Sequence, residues 1–325
     1  MAGAVRGGAG RARAEASALC LALCAVIASA VHAGGEAADG TAAPAAPTVS
    51  VDVVSTTPLR GLGVALKDIP ANVQVLSMRD PQLADTRSVS DALDRTGLGM
   101  SLAEGQGNPF QPDLVFRGAV ASPLLGAPQG LSVFQDGVRI NEPFGDVVNW
   151  DLVPGSAISS IQVVPGANPV FGLSTLGAAI VFRTKSGFEE PALDVRVEAG
   201  SFGRREAAVS GAAHTDTLGL FATAEGVDDD GWREHGSSRV RRLFVKLEQR
   251  HDRTRITASA TLADNTLEGA QTLPLSFLDD PRRVYTWPDR TENRLGFVSV
   301  EASRVLDERT LVEANGYFRR TRTNS

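Results

Sequence analysis

The sequence predicts an α+β domain followed by antiparallel strands of an incomplete transmembrane β-barrel. Three observations carry that expectation: a two-residue alternation of apolar and polar side chains from Leu193 onward, connections that are short and long in turn, and an N-terminal segment with the features of a secretory signal. The 325-residue chain has a formal net charge of -6 and no Lys/Arg block after that segment, which argues against nucleic-acid binding.

The N-terminal segment, residues 1–33, places Arg6, Arg11 and Arg13 before an apolar run from Ala16 to Ala30, with small residues at Ala28-Ser29-Ala30 and Val31-His32-Ala33. This is the layout of a cleaved signal peptide, cut after Ala33 or Ala30, and the run is too short to span a bilayer as a helix. A lipoprotein signal fits poorly, because Leu19 and Leu23 stand before Cys20 and Cys24 where a small residue is wanted. Both cysteines fall inside the segment, so the processed chain has no disulfide, thiolate nucleophile or Cys-ligated zinc. No run of eighteen apolar residues follows, so any membrane span must be built of strands.

Residues 34–60 read as a leader. Gly34 to Pro47 is rich in Ala, Gly, Thr and Pro and poor in bulky apolar residues. Val49-Ser50-Val51-Asp52-Val53-Val54-Ser55, bounded by Pro47 and Pro58, is β-prone. Such a segment can add itself as a strand to the sheet edge of another protein, or serve as the first strand of the domain that follows.

Residues 61–190 change to mixed α/β texture. Asn72 to Met78 reads as a strand, and Ser88 to Thr96 as a short helix with Ser88 capping toward Asp91 and Gly97 as its stop. Leu114 to Phe116 is a strand ending at Arg117-Gly118. Leu131 to Phe134 and Val138 to Ile140 flank Gln135-Asp136-Gly137, where Asp-Gly supplies the positive φ angles of a tight hairpin. Pro154 to Ser159 forms one helical turn before the strand Ile161 to Val164. Ala178 to Thr184 is the last strand before a hinge at Glu189 to Pro191.

Residues 191–325 carry the alternation. Leu193, Val195, Val197 and Ala199 interleave with Asp194, Arg196 and Glu198; Leu218 to Ala224, Leu243 to Leu247, Ile256 to Leu262 and Val298 to Ala302 repeat the pattern. Successive strand side chains point to opposite faces, whereas a helical period would scatter these apolar positions. A soluble sandwich also shows alternation. The connections favour a barrel: Ala213 to Thr217, His251 to Arg253 and Arg304 to Glu308 are tight, Val227 to Arg239 and Asp264 to Glu292 are long and polar, and only the Ser201 to Arg204 link breaks the long series. About seven strands are expected, fewer than the ~8 of the smallest single-chain bacterial barrels and the ~22 of plugged transporters, so the expected wall is the opening third of a barrel and the chain an N-terminal fragment.

Arg117-Gly118, the hairpin through Asp136-Gly137-Val138-Arg139-Ile140-Asn141, the run Gly166-Ala167-Asn168-Pro169-Val170-Phe171-Gly172, then Leu176-Gly177 and Arg183-Thr184-Lys185-Ser186-Gly187 together resemble the plug domain of TonB-dependent outer-membrane receptors. The chain thus resembles an α+β plug domain followed by barrel strands. One departure is Leu176-Gly177-Ala178, where Leu-Gly-Gly is usual. The resemblance implies that Val49 to Ser55 is a TonB box, and that the partners are TonB with its inner-membrane energising complex, outer-membrane lipid and a small-molecule ligand such as a siderophore or other metal chelate. It implies the outer membrane of a Gram-negative bacterium as the location, and energy-coupled uptake as the role.

Loops Ala119 to Gln129 and Asn141 to Trp150 are expected to face outward, with Arg117, Phe144 and Trp150, and Trp232 in the first long loop, placed either for ligand contact or for packing. Tyr285 and Trp287 in the second long loop suit ligand contact or an interfacial aromatic girdle. No catalytic residue, cofactor or metal site is expected: His214, His235 and His251 lack ligand spacing, phosphate-loop, dinucleotide and nucleophile-elbow patterns are absent, and Asp228-Asp229-Asp230 reads as a charged loop. The alternative is a secreted or surface-anchored β-rich adhesion module.

Overall fold

The computed structural model describes residues 72–325 apart from 81–82, 84–85, 87, 96–98, 168, 270 and 308, together with the backbone of 53–54 and 64–65. The expected signal segment, most of the expected leader with its candidate box, and Asn168 lie outside the described residues.

Among the described residues, seventeen strands and one α-helix follow one another, with short 3₁₀ turns between some of them. Two-residue strands β1 (Val53–Val54) and β2 (Val64–Ala65) pair antiparallel, Val53 with Ala65 and Val54 with Val64. Among the described residues, this pair is separate from the sheets that follow. Next come β3 (Gln74–Ser77), α1 (Val89–Arg95), β4 (Met100–Ala103), β5 (Asp113–Phe116), β6 (Ala119–Ala121), β7 (Leu131–Gln135), β8 (Val138–Arg139), β9 (Ile158–Pro165) and β10 (Ala178–Thr184). A five-stranded sheet in the order β3-β9-β10-β7-β8 is antiparallel except where β10 runs parallel to β7. A three-stranded sheet β4-β5-β6 stands beside it.

Local chemistry explains these elements. Ser88 Oγ accepts the Asp91 amide at 3.1 Å, which caps α1, and Arg95 returns to Asp91 at 3.1 Å one turn later. Both two-residue hairpin turns hold consecutive positive φ angles, 51° and 84° at Arg117-Gly118 and 44° and 82° at Asp136-Gly137. β7 and β10 are the central layer. Leu131, Val133, Ile180 and Phe182 pack on one side with Leu93 of α1, while Phe134, Ala179 and Val181 pack on the other with Phe171.

The wall is a seven-stranded antiparallel meander: β11 (Leu193–Ala199), β12 (Arg205–His214), β13 (Leu218–Asp229), β14 (Ser238–His251), β15 (Thr254–Glu268), β16 (Arg290–Val305) and β17 (Leu311–Asn324). It does not close on itself. The expected strands are present, but they run further than their apolar alternation showed. The long connections shrink to 230–237 and 269–289, because the strand ends carry polar residues on both faces and so lose the alternating signal. The strands β4 and β6 were absent from the sequence reading. Each is too short to declare a period.

The wall is inside out by the standard of a soluble protein. Its polar positions, Lys246, Glu248, Thr261, Asn265 and Asn293 among them, are buried against the α+β domain, while Val195 and Val197 are 58% and 75% exposed and Leu218, Leu247, Leu262 and Val298 are exposed with them. A soluble sandwich buries such an apolar face, whereas a membrane wall offers it to lipid.

The link between the two parts is threaded tightly. A methyl at Gly187 would meet the Leu220 backbone at 2.4–2.6 Å, and the ring of Phe188 lies over Gly219 with the Arg250 guanidinium 3.9 Å from its centroid. Gly187→Ala should therefore lower stability by about 1–3 kcal/mol, the usual cost of overpacking, measured as a shift in denaturant midpoint. Gly296→Ala, with open space around it, is the control expected to leave the midpoint in place.

Candidate functional site

The candidate site has two parts: a buried polar seam between domain and wall, and the loops at the end of the molecule where the long connections lie.

At the heart of the seam, Lys246 is 1% exposed. Its Nζ donates to Thr184 Oγ1 at 2.8 Å and stands 3.7 Å from Asp136 Oδ2, while the Thr184 amide donates to Asp136 Oδ1 at 3.1 Å and the Thr184 hydroxyl to Oδ2. The positive φ at Asp136 turns its carboxylate from the hairpin tip toward β10, and the wall supplies the counter-charge. Beside it, the Ser186 hydroxyl donates to Glu248 and Gln135 Nε2 to Thr261 at 3.3 Å.

A second group surrounds the short 3₁₀ turn Trp150–Leu152. Asp151 accepts from Asn265 Nδ2 at 2.9 Å and from Asn293 Nδ2 at 3.0 Å, and Arg242 donates to the Val153 carbonyl at 2.5 Å while pairing with Glu225. Burial raises the Asp151 carboxyl above its ordinary 3.8, and the two amides and the Arg242 charge offset only part of that. Nearer the long loops, Asn108 donates to Ser238 Oγ and the Glu268 carbonyl, both at 2.9 Å, and Phe110 packs among Val227, Val240 and Leu267.

The two long loops are tied together. Arg233 donates to the carbonyls of Gln271 at 2.8 Å and Arg283 at 3.1 Å, and the rings of His235 and Trp287 lie 4.7 Å apart. Trp232 is 47% exposed with Arg233 over it, and Phe144 is 78% exposed. Arg117 is exposed and lies 4.9 Å over the Phe116 ring. Trp150 takes the packing alternative. It is 4% exposed and donates its indole N–H to the Ala121 carbonyl at 3.1 Å, so it belongs to the core, where an indole with a satisfied donor is at home.

The remaining sequence motif is architectural. Pro169–Phe171 form a 3₁₀ turn, Gly166 and Gly172 hold φ of 95° and 82°, and Phe171 meets Phe134 edge-on at 5.6 Å. Gly177 has no room for a side chain, since a methyl would lie 2.5 Å from Ala119 Cβ. Ala178 is fully buried in β10, so the extra methyl at this departure from the usual Gly-Gly is accommodated. Among the described residues no group of three His, Cys, Asp or Glu is placed to hold a metal. Two of the acidic triplet are engaged with arginines, Asp228 with Arg241 at 2.6 Å and Asp229 with Arg204 at 3.2 Å.

An α+β domain latched to the polar face of an inside-out, unclosed sheet is the arrangement of a plug domain with part of a β-barrel wall. Residues 65–179 match the family described as TonB-dependent Receptor Plug Domain. Among solved structures, the chain is similar to the closed form of the ferric-catecholate import receptor Fiu from E. coli K12, at TM-score 0.66 and 15% identity over 86% of this chain and 40% of that one. It is similar to the unliganded ferric citrate transporter FecA, at TM-score 0.63 and 18% identity over 77% and 40%, and to the ferric yersiniabactin uptake receptor FyuA from Yersinia pestis, at 0.63 and 15% over 78% and 41%. These identities speak for the fold, and the chain spans about 40% of the length of those receptors. No curated protein sequence matches. Residues 65–179 thus match the TonB-dependent receptor plug domain, and the chain shares the fold of the plug and the first part of the barrel wall of those receptors.

Two measurements test the seam. Lys246→Met should cost about 3–5 kcal/mol by stranding the Asp136 charge, and Asp136→Asn in the same chain should recover most of it, as read by denaturant unfolding. For Asp151, a raised folded pKa means that the folded chain keeps a proton the unfolded chain has lost. Its contribution to stability is fully present below the ordinary carboxylate value and is lost as pH rises through the raised one. Asp151→Asn should therefore flatten the decline in unfolding midpoint as pH rises above ~4.

Proposed function

We propose that the chain is the plug-bearing part of an outer-membrane receptor, not an enzyme, that takes up a scarce metal chelate with energy delivered by TonB and its inner-membrane complex. The observation that carries this reading is the wall's polar face buried on the plug with its apolar face outward. An empty barrel of this kind would leak, so the lumen must be filled by something that can rearrange. A seam of hydrogen bonds and ion pairs suits that need, since water can replace each partner as the plug shifts. The named cargoes of the similar receptors, ferric citrate, ferric yersiniabactin and ferric catecholates, support a metal chelate as the solute class.

The short connections then face the periplasm and the long loops the exterior. Phe144, Trp232 and Arg117 are the candidate ligand contacts, and each is exposed. Val49 to Ser55 is the candidate TonB box, coupling by strand addition through backbone groups. Its last valines, Val53 and Val54, pair with Ala65 and Val64, so capture by TonB exchanges that short pairing for a longer one.

A proline in the box removes a backbone donor and disrupts strand pairing. Val51→Pro or Val53→Pro should leave chelate binding intact and stop energy-dependent uptake, followed with a panel of radiolabelled ferric chelates in cells carrying the full receptor. Unimpaired uptake by these variants would remove the box assignment.

A further inference from the structure

One hairpin of the plug reaches the roots of both long loops. β4 and β5 pair from Met100 with Phe116 to Ala103 with Asp113, and residues 104–112 form the tip between them. The stem belongs to the plug's core: Met100, Leu114 and Phe116 are buried with Leu93 of α1, and the Leu102 amide donates to Asp94 Oδ1 of that helix at 3.2 Å. A tip carried on a close-packed stem is held as firmly as the core itself.

The tip grips the wall at three levels. Gly107 turns the chain with a φ of 62°, and Asn108 Oδ1 accepts the Phe110 amide at 2.9 Å, an Asx turn that leaves the two donors of Asn108 Nδ2 for the wall. One goes to Ser238 Oγ and the other to the Glu268 carbonyl, both at 2.9 Å. Ser238 opens β14 directly after the first long loop, and Glu268 closes β15 directly before the second. Asn108 thus joins the two loops at their roots, and it is fully buried there. The second level is Phe110, whose ring packs on Val227, Val240 and Leu267, one from each of β13, β14 and β15. The third lies inside the loops. The Gln106 carbonyl accepts the Gln271 amide at 3.3 Å, and the Gln271 carbonyl accepts from Arg233 of the first loop at 2.8 Å. A methyl at Gly269 would come within 2.9 Å of that same Gln106 carbonyl, so the second loop leaves the wall in contact with the plug.

This placement has an energetic consequence. Long loops lose conformational entropy when they order around a ligand, and loops already held in place give up less of it on binding. Loops anchored only to the wall would be ordered independently of the plug. Here the anchor comes from the plug.

We propose that Asn108 and Phe110 are positioning residues that hold the two long loops in the pose that captures the chelate, so that the affinity of the loops is set from within the plug. The proposal rests on the chelate-receptor reading and names the plug residues that serve it.

Two measurements on the full receptor test it. In hydrogen exchange without ligand, N108A/F110A should speed exchange across 230–237 and 269–289 by on the order of 10-fold, while the turn His251 to Arg253 at the opposite end keeps its rate. N108A alone, which leaves the peg in place, should show a smaller rise, and F110L, which refills the peg, should stay close to wild type. In cells, the concentration of ferric citrate or of a ferric tris-catecholate that gives half-maximal uptake should rise by on the order of 10-fold in N108A/F110A with the saturated rate unchanged. Unchanged loop exchange overturns the proposal, as does faster loop exchange with unchanged half-saturation. Exchange that rises equally at both ends, with a lower saturated rate, assigns the two residues to stability alone and overturns it as well. Wild type that takes up neither chelate overturns the receptor reading and the capture role with it, while the exchange profiles still report whether the tip holds the loops.

Discussion

The structure depends on one constraint: a sheet whose apolar face looks outward must bury its polar face, and each polar group so buried needs a partner. In water the opposite arrangement wins, because burying a charge such as Lys246 with nothing opposite costs several kcal/mol. Here the plug supplies the partners. Asp136 and Thr184 answer Lys246, Ser186 answers Glu248, and Asp151 collects the amides of Asn265 and Asn293. Plug and wall are thus chemically specified by one another across more than a hundred residues of sequence.

Two of the partners, Asp136 and Thr184, sit at the ends of the plug's central strands. Asp136 directly follows β7 and Thr184 ends β10, and β7 and β10 are the neighbouring inner strands of the five-stranded sheet, covered on both faces. Side chains aimed across an interface need that kind of support, since a half-satisfied polar network is worse than an apolar one. Apolar contact accompanies it at three places: the Phe110 peg, the small group of Ala157, Ala212, Phe221 and Phe244, and Ala263, Leu295 and Phe297 of the wall, which join the plug's main core. The seam therefore fixes register beside an apolar contact that is continuous with the plug's own core.

Local rules made much of this legible in the sequence. Asp136-Gly137 declared a hairpin because few other pairs accept two positive φ angles, and Leu193 to Ala199 declared a strand because its period is strict. The seam was not legible, because the pairing of Asp136 with Lys246 has no sequence spacing to announce it and the charged face of β14 read only as polar. Trp150 shows the same limit from the other side. A tryptophan beside a loop looks alike in sequence whether it awaits a ligand or caps a core, and only the Ala121 carbonyl beneath its indole decides. The strand ends were foreshortened for a related reason: once the outward positions leave the apolar band they turn to Arg and Asp, and alternation no longer separates the faces.

The arrangement of strands also ranks the plug's attachments. β10 sits between β9 and β7, carries Thr184 of the seam at its end, and leads directly into the Gly187-Phe188 passage held by β13 and Arg250. β3 lies at the sheet edge, bound through four residues to β9 alone, and it is the first strand of that sheet reached from the leader. Edge strands with few pairs open at low free energy, while a strand paired on both sides opens only with the whole sheet. Tension along the leader would act first on β3, the member the fold can most readily release, and last on β10, which the wall holds at both its end and its exit. The same polar seam that makes the wall foldable thus leaves the plug with a weak side toward the leader and a strong side toward the barrel.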